Sequence, residues 1–332
     1  MLSRVADSIY WMARYIERAE NVARFIHVNL NLALELGPEL EQWAPLIYTT
    51  GDEQVFYQRY PVASREAVVQ FLTLDEENPN SILACLRAAR ENARTVRDII
   101  SSEMWEELNK FYLMVREAAK NTTAVDSPFE FYGQVKSHGA MLEGLAESTM
   151  SRGEAWHFRR LGRLIERAEK TSRILDVKYY LLLPTLGDVG TPLDITQWTA
   201  LLKSASALEM YRKRHGRITP EEVAEFLILD RDFPRSMHFC LIRAEQSLAA
   251  ITGGGPTTLR SPAEQRLGRL RAELDYASIR EIIGGGLHEF IDAFQVKLNA
   301  VGAAIFETFF ALQPVAERAP SKDGAAQRQS TA

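Results

Sequence analysis

The chain has 332 residues, 46% hydrophobic and 25% charged, with 39 Lys and Arg against 44 Asp and Glu. That balance allows a sizeable core and excludes collagen-like, disordered and disulfide-rich classes. The net charge of −5 leaves no overall positive field for a nucleic acid or an anionic membrane surface, and two cysteines, Cys85 and Cys240, are too few and too far apart for a zinc ribbon or a CxxC pair.

Arg4, Asp7, Arg14 and Glu17 interrupt the opening stretch, so it does not read as a secretory signal. The longest apolar runs, 179–183 and 301–306, fall far short of the roughly 20 residues a bilayer span needs. A reduced, cytoplasmic setting is expected. The 3.6-residue apolar period predicts helices over 3–36, 44–57, 64–74, 79–101, 103–121 and 128–150. A second set follows over 152–183, 193–213, 219–229, 234–251, 261–283 and 285–312. Ser127-Pro128, Thr219-Pro220 and Ser261-Pro262, each followed by a glutamate at the third helical position, mark three helix starts. No period-two run is bounded by hairpin turns, so the fold class is all-α. From 313 to 332 the sequence turns small and polar, as a solvated tail does.

The two sets read as copies. Residues 14–24 align with 163–173 at 7 of 11 positions, 149 residues apart, where chance gives about one. Phe71 to Asp75, Pro79, Ser81, Cys85 and Leu86 recur as Phe226 to Asp230, Pro234, Ser236, Cys240 and Leu241, 155 residues on. The six extra residues fit a loop around 184–194. The expected architecture is a duplicated six-helix unit, 1–150 and 151–312, forming one pseudo-two-fold helical bundle.

In the first helix Val5, Ile9, Met12, Ile16, Ala19, Ala23, Ile26 and Leu30 form an apolar seam, and Phe158 to Tyr179 keep that register in the second copy. Beside it runs a polar stripe, Glu17, Glu20, Arg24 and His27, repeated as Glu166, Glu169, Arg173 and Asp176. Glu20 lies about 40° around the helix from Ile16, so it is expected to be partly buried, with Arg24 one turn on to neutralise it. Two readings follow. The acids, with Arg14, Arg18, Arg163 and Arg167, are salt bridges fixing helix register; or Arg14, Glu17, Glu20, Arg24, Arg163, Glu166, Glu169 and Arg173 line one polar pocket that binds a substrate. A ferritin-like di-metal centre is not expected: Glu154 and His157 have the spacing, but Val5 and Ser8 stand opposite them and the arginines repel a cation. Arg87, Arg90, Arg94 and Arg97 step along one helix face as a possible anion site or as a solvated row paired with acids such as Glu91. Asp75 and Asp230 suit turn or cap roles, and Cys85 and Cys240 suit packing. The glycine runs at 253–255 and 284–286 match no phosphate loop and read as helix breaks.

The opening Met1 to Arg24 resembles the start of the bacterial alpha-E domain family, as do Asn78-Pro79-Asn80-Ser81-Ile82, Ala89 to Arg94, Met104-Trp105, Ile165 to Glu169 and Gly286 to Phe290. Ala13 stands where glycine is common in that family. The resemblance implies an all-helical protein encoded beside, or fused to, a circularly permuted ATP-grasp protein of the carboxylate-amine ligase type. Transglutaminase-like and proteasome-like peptidases are further implied neighbours. The leading functional expectation is therefore a helical partner of a peptide-ligating system, without cofactor or metal. The alternatives are an enzyme acting on an amide or peptide with Glu20 or Glu169 as general base, and a purely structural scaffold.

Overall fold

The structure, a computed structural model, describes residues 1–37, 42–121, 126–180, 190–253 and 260–311. Among these there are fifteen α-helices and no strand, in keeping with the all-α expectation. The first half holds α1 (Ser3–Leu36), α2 (Ala44–Thr50), α3 (Glu53–Arg59), α4 (Arg65–Thr73), α5 (Ile82–Thr95), α6 (Ser102–Ala118) and α7 (Pro128–Thr149). The second holds α8 (Glu154–Tyr180), α9 (Pro192–Ser204), α10 (Leu208–Arg214), α11 (Pro220–Leu229), α12 (Met237–Thr252), α13 (Pro262–Tyr276), α14 (Ile279–Gly285) and α15 (Leu287–Ile305), which runs into a π-helical turn at Phe306–Phe310.

Several expected helices are divided, for visible reasons. The expected 44–57 helix breaks at Gly51 (φ +77°), and 193–213 breaks 155 residues later at Ser206 (φ +51°), each a left-handed residue that a continuing helix cannot hold. The 261–283 helix stops at Ala277 and restarts under a capping box of Ser278 and Glu281, a signal present in the sequence but not read. The predicted cap at Thr219 accepts from the Glu222 amide, and Ser261 with Glu264 forms a full capping box. Ser127 makes no cap bond, its backbone (φ −132°, ψ 58°) lying off the usual N-cap geometry. The 184–189 part of the expected loop, residues 254 and 255 and the 313–332 tail lie outside the described residues.

At the centre α1 and α8 lie side by side and run in the same direction: Tyr10 meets Gly162, Arg14 meets Glu166 and Glu169, and Arg24 reaches the α9–α10 break. Gly162 is required there, because a Cβ at this position would sit 2.4 Å from the Tyr10 carbonyl oxygen. The seam is buried as expected, with Ile9, Ala19, Ala23, Ile26, Leu161 and Ala168 all inaccessible to solvent. Tyr179 is outside the described side chains.

Around this pair α5 and α7 pack on α1, while α12 and α15 pack on α8. The short helices cross over: α2 packs on α8, and α9 packs on α1. At those crossings Arg173 of α8 lies against Gly51, and Arg24 of α1 donates to the hydroxyl of Ser206. One apolar core therefore runs through both halves. Two outlying turns also recur: Asp75 accepts from the Glu77 amide and pairs with Arg59, and Asp230 accepts from the Asp232 and Phe233 amides and pairs with Arg214.

Candidate functional site

The polar stripes of α1 and α8 meet in the interior. Arg18 grips Glu166 through both oxygens at 2.6 and 3.0 Å, and Arg167 grips Glu17 through both at 2.8 Å. Each dipeptide, Glu17-Arg18 and Glu166-Arg167, thus holds the other crosswise. Both acids are buried, Glu17 to 2% exposure and Glu166 to 0%. Bidentate guanidinium–carboxylate pairs are the geometry that best offsets such desolvation.

Each acid has further support. Glu17 accepts from Asn21 (2.9 Å) and Arg235 (3.1 Å); Glu166 accepts from Arg14 (2.8 Å) and lies 3.7 Å from Lys170. Burial alone would raise the Glu17 carboxyl, but Arg167 and Arg235 outweigh it and hold it well below the usual carboxylate range. At Glu166, Arg18, Arg14 and Lys170 likewise overcome burial. Burial lowers Lys170, and its two neighbouring glutamates only partly restore it.

One turn further on, the expected i,i+4 pairs are present: Arg24 with Glu20 at 2.6 Å and Arg173 with Glu169 at 3.1 Å. Arg235 also reaches Glu20 (2.7 Å), and Arg14 also reaches Glu169 (3.1 Å). Beyond them His27 lies edge-on to Phe129, and Asp176 bonds His288 at 2.7 Å. Arg163 departs from the pocket expectation: it turns to Glu143 on α7 (2.6 Å), which Arg159 shares (2.6 Å). Sequence reasoning did not single out Asn21, Glu143, Arg159, Lys170 or Arg235. Only Arg235 carried a readable cue, since it replaces Asn80 in the otherwise repeated Pro-x-Ser turn. Asn80 instead accepts from Arg18 at 2.7 Å.

The eight residues expected to share one pocket are distributed over two sides of the clasp. Toward α7, Glu17, Glu20, Arg163 and Arg167 border a cavity of about 30 Å³, room for about one water. Toward α15, Arg14 and Glu169 open onto a cleft of about 280 Å³ walled by Tyr10, Trp11, Leu298, Phe306 and Phe310. There the Arg14 guanidinium lies 4.9 Å from the Trp11 ring and 3.5 Å from the Tyr10 hydroxyl. The π-helical turn that carries Phe306 and Phe310 forms one end of the cleft; such turns are rare and gather at functional sites.

Comparison with known proteins agrees with the clasp. A family model described as Alpha-E, a predicted alpha-helical domain with a conserved ER motif, matches residues 1–310. The chain belongs to the Alpha-E family. Within the matched span Glu-Arg occurs twice, at 17–18 and 166–167, the two dipeptides that clasp. Uncharacterised proteins of Mycobacterium bovis and of two Mycobacterium tuberculosis strains are 23% identical over 93% of this chain. The Alpha-E chain spans little more than a third of the length of these relatives, 37%. No solved structure matches it.

Elsewhere on this Alpha-E protein the expected arginine row divides: α5 ends at Thr95, so Arg97 lies in the turn beyond it. Arg87 pairs with Glu76 and Arg94 with Glu91, whereas Arg90 and Arg97 lie over the Trp105 ring of α6 at 5.6 and 4.8 Å. Arg90 also reaches Glu91 and Asn109. Cys85 and Cys240 are fully buried, burial pushing both thiols up to about 12, so neither supplies a reactive thiolate. His157 lies edge-on to Trp156 at 4.9 Å, and no group of three or more metal-ligating side chains comes together among the described residues. No described helix is long and apolar enough to cross a membrane.

Proposed function

We propose that this Alpha-E protein is a cytoplasmic helical partner of an ATP-grasp carboxylate-amine ligase, and that it holds a carboxylate-bearing substrate or peptide in the cleft between α1, α8 and α15. The observation that carries this reading is the meeting of Arg14 and Glu169 in a 280 Å³ aromatic-walled cleft. A volume near the lower end of ligand sites, apolar walls and a few convergent polar groups is the usual make-up of a small-ligand pocket.

Charge supports an anionic group there. Arg14, which lines the cleft, belongs with Arg18, Lys170 and Arg173 to a cluster around Glu166 and Glu169, so among these described residues cations outnumber carboxylates. The relatives, in which the matching stretch is part of a longer chain, are consistent with a module that works beside other domains. Transglutaminase-like and proteasome-like peptidases are further proposed neighbours. The two halves are proposed to be copies packed about a local two-fold, a reading supported by the crosswise clasp and the exchanged α2 and α9.

An independent enzyme is the weaker reading. Burial raises Glu169, but Lys170, Arg14 and Arg173 hold it below the usual range, and a carboxylate so held is a poor general base. Glu20 is occupied by Arg24 and Arg235.

The test is ligase reconstitution with wild-type and Gly302→Glu protein. A Cβ at Gly302 would meet nothing nearer than Arg14 Nη1 at 3.9 Å, so a side chain can start there without a clash and carry a carboxylate into the cleft beside Arg14. Co-purification with the ligase should persist while product formation falls at least about tenfold, the equivalent of about 1.4 kcal/mol. Wild-type yield from the folded variant would remove the cleft from the reading; no effect of the wild-type chain on the ligase would remove the partnership.

A further inference from the structure

The α7 side of the clasp contains a second site of a different kind. Its cavity, about 30 Å³, is bordered by Glu17 and Glu20 of α1, Gly139 and Glu143 of α7, and Arg159, Arg163 and Arg167 of α8. Arg159 and Arg163, which line it, each have a buried Nε–H group with no protein acceptor. Arg159 is only 4% exposed, so no outside solvent relieves it. Buried donors normally have a partner, and an orphan pair of guanidinium donors beside a void calls for one.

The nearby acids are already engaged. Both Glu17 oxygens are taken by Arg167, with Arg235 and Asn21 added on one; Glu20 Oε1 is taken by Arg24 and Arg235. Five guanidiniums, Arg24, Arg159, Arg163, Arg167 and Arg235, face Glu17, Glu20 and Glu143, and the more exposed Glu147, shared with Arg152, reaches Arg159 only at 3.4 Å. The guanidiniums outnumber the carboxylates.

We propose that this cavity binds a single chloride ion, accepting from the Nε–H groups of Arg159 and Arg163. A cavity of about 30 Å³ suits a monatomic ion better than a carboxylate or phosphate group. Burial, together with neighbouring Arg167, pushes the Arg163 guanidinium down to about 10, and an anion beside it would offset both. Glu20 Oε2 borders Gly139, while its Oε1 takes Arg24 and Arg235; Oε2 suits a bridging water, which makes water the rival occupant.

Crystals of the wild-type protein grown in sodium bromide decide between them. The expected result is an anomalous bromide peak in the cavity, within hydrogen-bond reach of both Nε atoms; a water there, with no anomalous signal, overturns the proposal. In solution, chloride and bromide should raise Tm by about 2–4 °C over gluconate at equal ionic strength, and Arg163→Met should abolish the difference. Equal melting in the three salts also overturns it, whether or not the variant folds.

Discussion

Arg14 and Arg163 stand at the same place in two nearly identical stretches, yet one opens onto a cleft and the other closes a void. The difference lies in the helix each one faces. Counted from the first residues of α7 and α15, Glu143 and Gly302 hold the same position. Glu143 takes up Arg163 at 2.6 Å, whereas Gly302 leaves Arg14 with space beside it. The clasp is thus kept on both sides, while a carboxylate on one flanking helix and a glycine on the other leave different amounts of space beside it.

The largest effect should come from the clasp that both sides share. Glu166→Gln leaves Arg18, Arg14 and Lys170 buried without their main acceptor, and should cost about 3–5 kcal/mol in chemical denaturation. Glu17→Gln should cost a similar amount if the halves are equivalent, and a large inequality would break the comparison. The same acids set an acid limit. Their folded-state pKa values lie below those of the unfolded chain, so their contribution is fully present above the unfolded value, near pH 4–5, and is lost as pH falls toward the folded ones. Wild type should therefore lose stability steeply below about pH 4, and Glu166→Gln less steeply.

A smaller loss is expected where the two central helices touch. Gly162→Ala forces a methyl against the Tyr10 carbonyl, backbone against backbone, and should cost about 1–3 kcal/mol without altering either ion pair. An unchanged Tm would mean that α1 and α8 can separate freely, contrary to a tight clasp. The smallest change should be a gain. Gly302→Glu replaces a mid-helix glycine with a better helix former and adds a carboxylate near Arg14, so it should raise stability by about 0.5–1 kcal/mol while it occupies part of the cleft. Destabilisation instead would show that the position does not mirror Glu143.

The long amphipathic helices, the seam and the i,i+4 pairs Glu20–Arg24 and Glu169–Arg173 were legible because each depends on residues within a few turns. The helix breaks at Gly51 and Ser206 were less so: the 3.6 period runs across both, and left-handed backbone is a matter of local geometry that Ser206, unlike Gly51, does not announce. Arg235, Glu143 and Lys170 escaped because a long charged side chain has several acids within reach, and only helix placement selects among them.

The amino-acid order by itself determined an all-α chain with two matching runs, each carrying Glu-Arg on the flank of an apolar stripe, because periodicity and repetition are written along the chain. Which guanidinium grips which carboxylate, and which side of the clasp stays open, were decided by tertiary packing. Partners 150 residues apart meet only when α1 and α8 lie parallel, and one glycine on α15 then sets whether the space beside them is filled.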